Sequence, residues 1–232
     1  MTGGGGRIRA ALLQITSGPD PEANLARLLP LVGEAARGGA DIVCTPEMTN
    51  LIAPRERLRA VAAEEGADPT LAALREAARR YAIYLAVGSL ALRDGDALVN
   101  RSLMIGPDGR VRARYDKIHM FDVDLPGGET YRESAAFRPG DRAVLARTGL
   151  GPLGLAICYD LRFPQLFRAL AKGGAEVILC PAAFTRPTGE AHWEVLLRAR
   201  AIETGCFVLA AAQTGEHEGG RQTHGHSMAV AP

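Results

Sequence analysis

Apolar positions along this chain alternate between two periods. RIRAALLQI, residues 7–15, is apolar enough to lie buried as a strand. In PEANLARLLPLVGEAARGG, 21–39, the apolar residues recur at helical spacing, and Gly38 and Gly39 supply a stop signal. ADIVCTPE (40–47) predicts a second strand, PTLAALREAARR (69–80) a helix entered through Pro69, and YAIYLAVGSL (81–90) the strand after it. Residues 97–117 read as two strands joined by the turn Pro107-Asp108-Gly109, a hairpin signal. An apolar run then ends at Cys158 as a strand, followed by a helix (164–173), a strand (176–182), a helix (190–204) and a strand (206–212). The segment 120–141, rich in Gly, Pro and charge, predicts a long ordered loop, and such loops in compact domains are usually functional. A His/Gly-rich segment, 213–226, leads into a last apolar stretch, HSMAVAP.

Helix-connected strands at both ends therefore flank a hairpin in the middle. That order is neither a βαβ repeat nor a meander. It fits two sheets with helices outside, a four-layer α-β-β-α sandwich of the α/β class. The 232 residues suffice for one large core, so a single domain over 7–232 is expected behind a flexible Gly-rich leader, 1–6. Apolar residues at 47% and charged residues at 23% exclude a disordered chain. A net charge of +1 gives no electrostatic case for nucleic acid or an anionic membrane. Arg, Asp, Gly or Pro interrupts every apolar stretch before it reaches a membrane span, and MTGGGGRIRA lacks the apolar core of a secretion signal. The expected location is cytoplasmic.

The four cysteines contain no C-x-x-C pair, which argues against a disulfide framework or a zinc knuckle. Cys44, Cys180 and Cys206 sit in apolar runs and read as small buried hydrophobes. Cys158 differs, because GPLGLAICYDLRFP turns at once from apolar strand to a polar bend and a helix opened by Pro164. That context exposes a sulfur on a rigid support and aims the following backbone N–H at whatever the sulfur attacks. Glu47, in CTPEM, and Lys117, in RARYDKIHMFD, stand at two further strand ends. A carboxylate whose pKa is raised by partial desolvation can take a thiol proton. A neighbouring ammonium favours the thiolate and a developing oxyanion. Together the three suggest amide cleavage through an acyl-thioester.

PEM around Glu47, YDKIHMFD around Lys117 and ICYDLRFP around Cys158 resemble the three signature blocks of the nitrilase superfamily of carbon–nitrogen hydrolases. The block 180–215 is similar to its Nit branch, which includes omega-amidase and deaminated-glutathione amidase. The resemblance implies an α-β-β-α sandwich of the nitrilase type and an enzyme that needs no metal and no other cofactor. It implies hydrolysis of a small carboxylate-bearing amide with release of ammonia, and a homodimer or higher homo-oligomer. No nucleic-acid or membrane partner is implied. By this resemblance Glu47 is the general base, Lys117 the oxyanion-stabilising and proton-donating lysine, and Cys158 the nucleophile. Glu133, in TYRES, positions the lysine and substrate. Tyr159 completes the oxyanion site through its N–H, and Arg162, Ala183 and Phe184 fall where the family lines its substrate pocket.

Two departures from the family pattern stand out. Gln165 replaces a common Glu, and the chain stops at GHSMAVAP where relatives continue, so the expected sandwich is C-terminally shortened and a sheet edge is open. Nitrile or N-carbamoyl hydrolysis and acyl transfer use the same triad, and a non-catalytic binding or scaffold role follows if the short end abolishes activity. A metal reading of His217, His224 and His226 lacks an acidic or thiol partner in register.

Overall fold

Capping fixes where the first helices begin. In a computed structural model that describes residues 7–125, 128 and 130–232, α1 (Pro21–Arg37) starts behind Asp20, whose carboxylate accepts the N–H groups of Glu22 and Ala23. It ends where Gly38 N–H bonds Glu34 O and Gly39 turns left-handed, as the paired glycines predict. A short α2 (Arg55–Val61) follows, and α3 (Pro69–Tyr81) opens on Asp68, which accepts from Leu71 N–H at 2.7 Å. The leader expected over 1–6 lies outside the described residues.

The first sheet runs β1 (Ala10–Leu12), β2 (Ile42–Cys44), β3 (Tyr84–Asp94), β4 (Ala97–Ile105) and β5 (Val111–Asp116), in that spatial order. A small hairpin, β6 (Asp122–Asp124) and β7 (Thr130–Arg132), and a helical turn at Glu133–Ala135 replace the loop expected over 120–141. The second sheet contains β8 (Val144–Thr148), β9 (Gly151–Leu155), β10 (Val177–Leu179) and β11 (Phe207–Ala210). After the hairpin of β12 (Thr214–Glu216) and β13 (Gln222–His224), β14 (Met228–Val230) adds antiparallel to β11. Two helices serve this sheet: α4 (Pro164–Lys172) and α5 (Arg186–Thr204). The latter begins earlier than predicted, because Gly189 is not a breaker. A Cβ there would come within 2.3 Å of the His224 side chain, so glycine lets β13 lie against the helix.

Side-chain alternation sorts the layers. Val43, Leu85, Val87 and Leu103 face Leu28, Val32, Leu71 and Leu74 of α1 and α3. Ile42, Cys44, Ala86 and Met104 face the opposite way, into a core shared with Leu153, Leu155 and Leu179 of the second sheet. Phe167, Trp193, Leu197 and Ala201 of α4 and α5 close that core from outside. The sandwich expected from the element order is therefore present. Cys44, Cys180 and Cys206 are buried, as their apolar context predicts.

One irregularity ties this fold to chemistry. The β3–β4 register shifts between Val87 and Leu90, and at this bulge Gly88 lies beneath the turn that follows β2. A Cβ on Gly88 would sit 2.0 Å from Thr45 O and 2.4 Å from Pro46 O. Ser89 then holds the same turn, accepting Met48 N–H on Oγ at 2.9 Å and Thr49 N–H on its carbonyl at 2.8 Å. Gly88→Ala is therefore expected to cost about 2–3 kcal/mol in urea unfolding. Gly66→Ala, with nothing within 4 Å, serves as the neutral control. Equal midpoints for the two variants would show that the turn can retreat without loss.

Candidate active site

Three strand ends deliver three reactive groups to one place. Glu47 follows β2, Lys117 follows β5 and Cys158 stands shortly after β9. Their exposures are 3%, 1% and 7%, so each is withdrawn from bulk water. Lys117 Nζ donates to Glu47 Oε1 at 2.9 Å and to Glu133 Oε1 and Oε2 at 3.0 and 2.8 Å. Ala183 N–H donates to Glu47 Oε2 at 2.8 Å, and the Cys158 thiol lies close enough to the same carboxylate for the two to influence each other's protonation. Glu133 is held in turn by Phe121 N–H at 2.7 Å.

The electrostatics reverse part of the sequence expectation. Burial works to raise the Glu47 pKa, but the charge and hydrogen bond of Lys117 outweigh it and hold the carboxyl below its usual range. Burial, followed by the negative charge of Glu47, pushes the Cys158 thiol well above its usual range, and Lys117 offsets only part of this. Burial would lower Lys117, yet Glu133 and Glu47 keep it well above an ordinary lysine. The resting site is thus an ionised carboxylate, a neutral thiol and a permanent ammonium. A carboxylate able to take a proton is thus in place while the thiol is still neutral.

Backbone strain shapes both reactive corners. Cys158 has φ of 48° and Met48, next to Glu47, has φ of 56°, in a region that costs a non-glycine residue about 1–2 kcal/mol. The surroundings supply the compensation. Cys158 N–H bonds Pro181 O at 2.8 Å, and buried Asp160 accepts Ile157 N–H at 2.8 Å. Asp160 also accepts Tyr115 Oη–H at 2.6 Å and the backbone N–H of His119, and its Oδ1 lies 2.6 Å from His119 Nδ1. His119 stacks on Phe163 at 3.6 Å, so it supports the bend. At the other corner Gln213 Nε2 donates to Glu47 O at 3.0 Å. Cys158 opens a helical turn, where the first N–H groups lack acceptors, which leaves Tyr159 N–H suited to an oxyanion.

A cavity of about 420 Å³, in the size range of small-molecule sites, opens onto these groups. Glu47, Lys117, Glu133, Cys158, Tyr159, Ala183 and Phe184 all line it. Arg162 does not, and its expected place in the pocket is corrected. Its guanidinium lies behind the wall, 5.9 Å from the Tyr159 ring centroid, 5.6 Å from that of Phe184, and 3.4 Å from His192 Nδ1. Of the lining residues that escape the sequence reading, two bear most directly on the chemistry. Asn100, on β4, donates through Nδ2 to Glu47 at 3.0 Å and Glu133 at 3.2 Å. A polar residue inside the buried run ALVNRSLMI was the available signal. The other is Arg221, in the loop before β13.

The histidines of that loop do not converge on a metal. His217 has Nδ1 2.8 Å from Ser17 O and Nε2 2.7 Å from Thr223 Oγ1, so both nitrogens are engaged. His224 and His226 stack on each other at 4.1 Å. Among the described residues no group of His, Cys, Asp or Glu is arranged to hold a metal ion, and no helix is long and apolar enough to cross a membrane.

The profile of the carbon–nitrogen hydrolase family matches residues 9–232. The chain belongs to that family. The deaminated glutathione amidase of Yersinia enterocolitica is 47% identical over 224 residues, covering 95% of this chain and 78% of the relative. Among solved structures, Nit3 of Saccharomyces cerevisiae, a member of branch 10 of the nitrilase superfamily, superposes with a TM-score of 0.87 at 29% identity. That match covers 97% of this chain and 82% of Nit3. An amidase from Nesterenkonia sp. AN1, carrying the acetamide moiety of fluoroacetamide covalently on its active-site cysteine, matches at TM-score 0.86 and 30% identity. It covers 100% of this chain and 85% of its own. This carbon–nitrogen hydrolase thus shares the fold of an amidase that has an active-site cysteine.

Two predictions follow from the charge arrangement of this hydrolase. Lys117→Ala leaves two carboxylates facing each other in the interior, so unfolding free energy is expected to fall by about 3–5 kcal/mol. Lys117→Arg, which keeps the charge, measures how much of that loss is electrostatic. A change under about 1 kcal/mol for the alanine variant would contradict a buried ion cluster. In the second, Glu47 ionises below the ordinary carboxylate range while Cys158 and Lys117 lose protons only above theirs. Falling pH therefore removes the base late, and rising pH removes the thiol and ammonium protons late. The profile of kcat/KM is expected to be flat from about pH 5 to about pH 8.5. A limb near pH 6–7 would instead indicate a different base.

Proposed function

We propose that this hydrolase cleaves the amide bond of a small carboxylate-bearing substrate through a Cys158 acyl-thioester. The observation that carries the reading is the Glu47 carboxylate, which shares one cavity with the Cys158 thiol while Lys117 and Ala183 N–H hold it in place. The thiol proton passes to Glu47 as the sulfur–carbon bond forms, and the carbonyl electrons move onto oxygen. Lys117 and the Tyr159 N–H stabilise that oxyanion. Collapse breaks the carbon–nitrogen bond, and Glu47 returns its proton to the departing nitrogen. Water, deprotonated by Glu47, then attacks the thioester, and the proton ends on sulfur. Lys117, held between two carboxylates and hard to deprotonate, acts here as a fixed charge and not as the proton donor its family resemblance implies.

The relatives named deaminated glutathione amidase support a substrate of this class and bear on the leaving group. In deaminated glutathione the amide joins an oxo-diacid to cysteinylglycine, so its hydrolysis releases a dipeptide amine. A primary amide such as α-ketoglutaramate releases ammonia by the same steps. Both products are therefore measured, with a simple nitrile alongside. Cys158→Ala is expected to lose about 10⁴-fold or more in turnover while remaining folded. Glu47→Gln should fail to form the acyl-enzyme, slowing by about 10²–10⁴-fold. Amide turnover that persists in Cys158→Ala would refute the mechanism. Turnover of the nitrile alone would move the activity to another reaction of the same triad.

A further inference from the structure

We infer that Arg221 is the specificity-determining residue of the cavity and that it binds a carboxylate of the substrate. The inference rests on the amide-hydrolase reading and names the feature that selects its substrate. Four cationic side chains line the cavity: Arg55, Lys117, Arg132 and Arg221. Lys117 is consumed by Glu47 and Glu133. Arg132 is spent on Asp124 and on the carbonyls of Val123 and Tyr131. Arg55 is exposed at the start of α2. Arg221 alone combines position with an open valence. Its Nη2 donates to Ala183 O at 2.8 Å, while its Nε is sealed from solvent and has no partner among the described residues.

A buried, unpaired donor on a cation is costly, and it is tolerated where a ligand supplies the acceptor. No carboxylate among the described residues lies within ion-pairing distance of Arg221. A planar guanidinium with one edge anchored and another vacant is matched to a carboxylate oxygen.

The surroundings fix where that vacancy stands. The guanidinium lies over the Tyr131 ring, 5.8 Å from its centroid, which orients its plane. His217 N–H bonds Arg221 O at 2.8 Å and closes the loop, with Gly219 and Gly220 in left-handed conformations between them. The two ring nitrogens of His217 tie this loop to Ser17 and Thr223. Ala183 connects the subsite to the chemistry, since its carbonyl receives Arg221 while its N–H holds Glu47. Arg162, placed in the pocket by family resemblance, lies outside the lining and leaves this role to Arg221.

The test compares kcat/KM for succinamate, whose acyl half carries a carboxylate, N-propionylglycine, whose leaving half does, and neutral butyramide. In Arg221→Met the preference for a carboxylated amide over butyramide is expected to fall on the order of 100-fold. Arg221→Lys should restore part of that ratio. Which of the two carboxylated amides loses its advantage assigns the subsite to the acyl or the leaving side. Ratios unchanged in Arg221→Met would overturn the inference. A calorimetric titration of succinate into Cys158→Ala, with and without Arg221→Met, separates this inference from the reading beneath it. Succinate affinity lost with Arg221 supports the subsite even if no amide is turned over. Equal affinity in both proteins overturns it even if amide hydrolysis is established.

Discussion

The ammonium of Lys117, held between Glu47 and Glu133, is the interaction on which the rest of the site depends. An isolated charge at this depth is strongly disfavoured. Three charges hydrogen-bonded together are tolerated, provided each remaining lone pair or proton is used. The structure meets that condition closely. Ala183 N–H takes the one carboxylate oxygen that Lys117 does not, and Phe121 N–H and Asn100 Nδ2 add further donors to the oxygens that it does. The cluster therefore draws β2, β4, β5, the turn after β7 and the segment after β10 to one point. Sheet packing brings these ends near each other, and the charges require that they meet.

Strain is distributed in the same way. Left-handed backbone at Met48 and Cys158 turns each chain sharply off its strand, which is how an inward carboxylate and an inward sulfur can face each other. Each bend is over-determined by neighbours that have no direct part in bond breaking: Ser89 and Gln213 at one, Asp160 with Tyr115 and His119 at the other. Gly88 belongs with them, because the turn bearing Glu47 rests on the space where its side chain would be.

The parts of this arrangement that were legible in the sequence are those encoded locally. Asp20, Pro21 and the paired glycines mark α1, and apolar runs broken by Glu47, Lys117 and Cys158 mark strand ends on one rim. Family resemblance added Glu133, Tyr159, Ala183 and Phe184, all of which line the cavity, and Arg162, which does not. What was not legible depends on pairing between distant strands. Asn100 matters because β4 lies beside β5 and points it between two carboxylates, and nothing in its own neighbours reveals that. Arg221 sits in a glycine-rich hairpin whose histidines suggest metal binding, and only the tertiary fold shows His217 as a tether. The direction of the Glu47 shift was also out of reach. Burial and a neighbouring ammonium act in opposite senses, and their balance is set by a 2.9 Å contact.

That balance decides how this hydrolase divides labour. A site that stores a thiolate needs a cation close to sulfur and no competing anion, which lowers the thiol pKa and leaves the nucleophile charged at rest. Here burial raises the thiol first and the anion adds to it, because Glu47 lies near the thiol and Lys117 is shared with Glu133. In the proposed mechanism deprotonation is therefore coupled to attack: the sulfur gives up its proton as a carbonyl carbon accepts its electrons. The negative charge moves from the carboxylate to an oxygen that Lys117 and Tyr159 N–H can stabilise. Lys117 stabilises the reactant carboxylate and the later oxyanion alike, so its charge helps the reaction only in so far as charge migrates away from Glu47. Glu133 makes this workable, since it keeps the ammonium in place and protonated while Glu47 is transiently neutral.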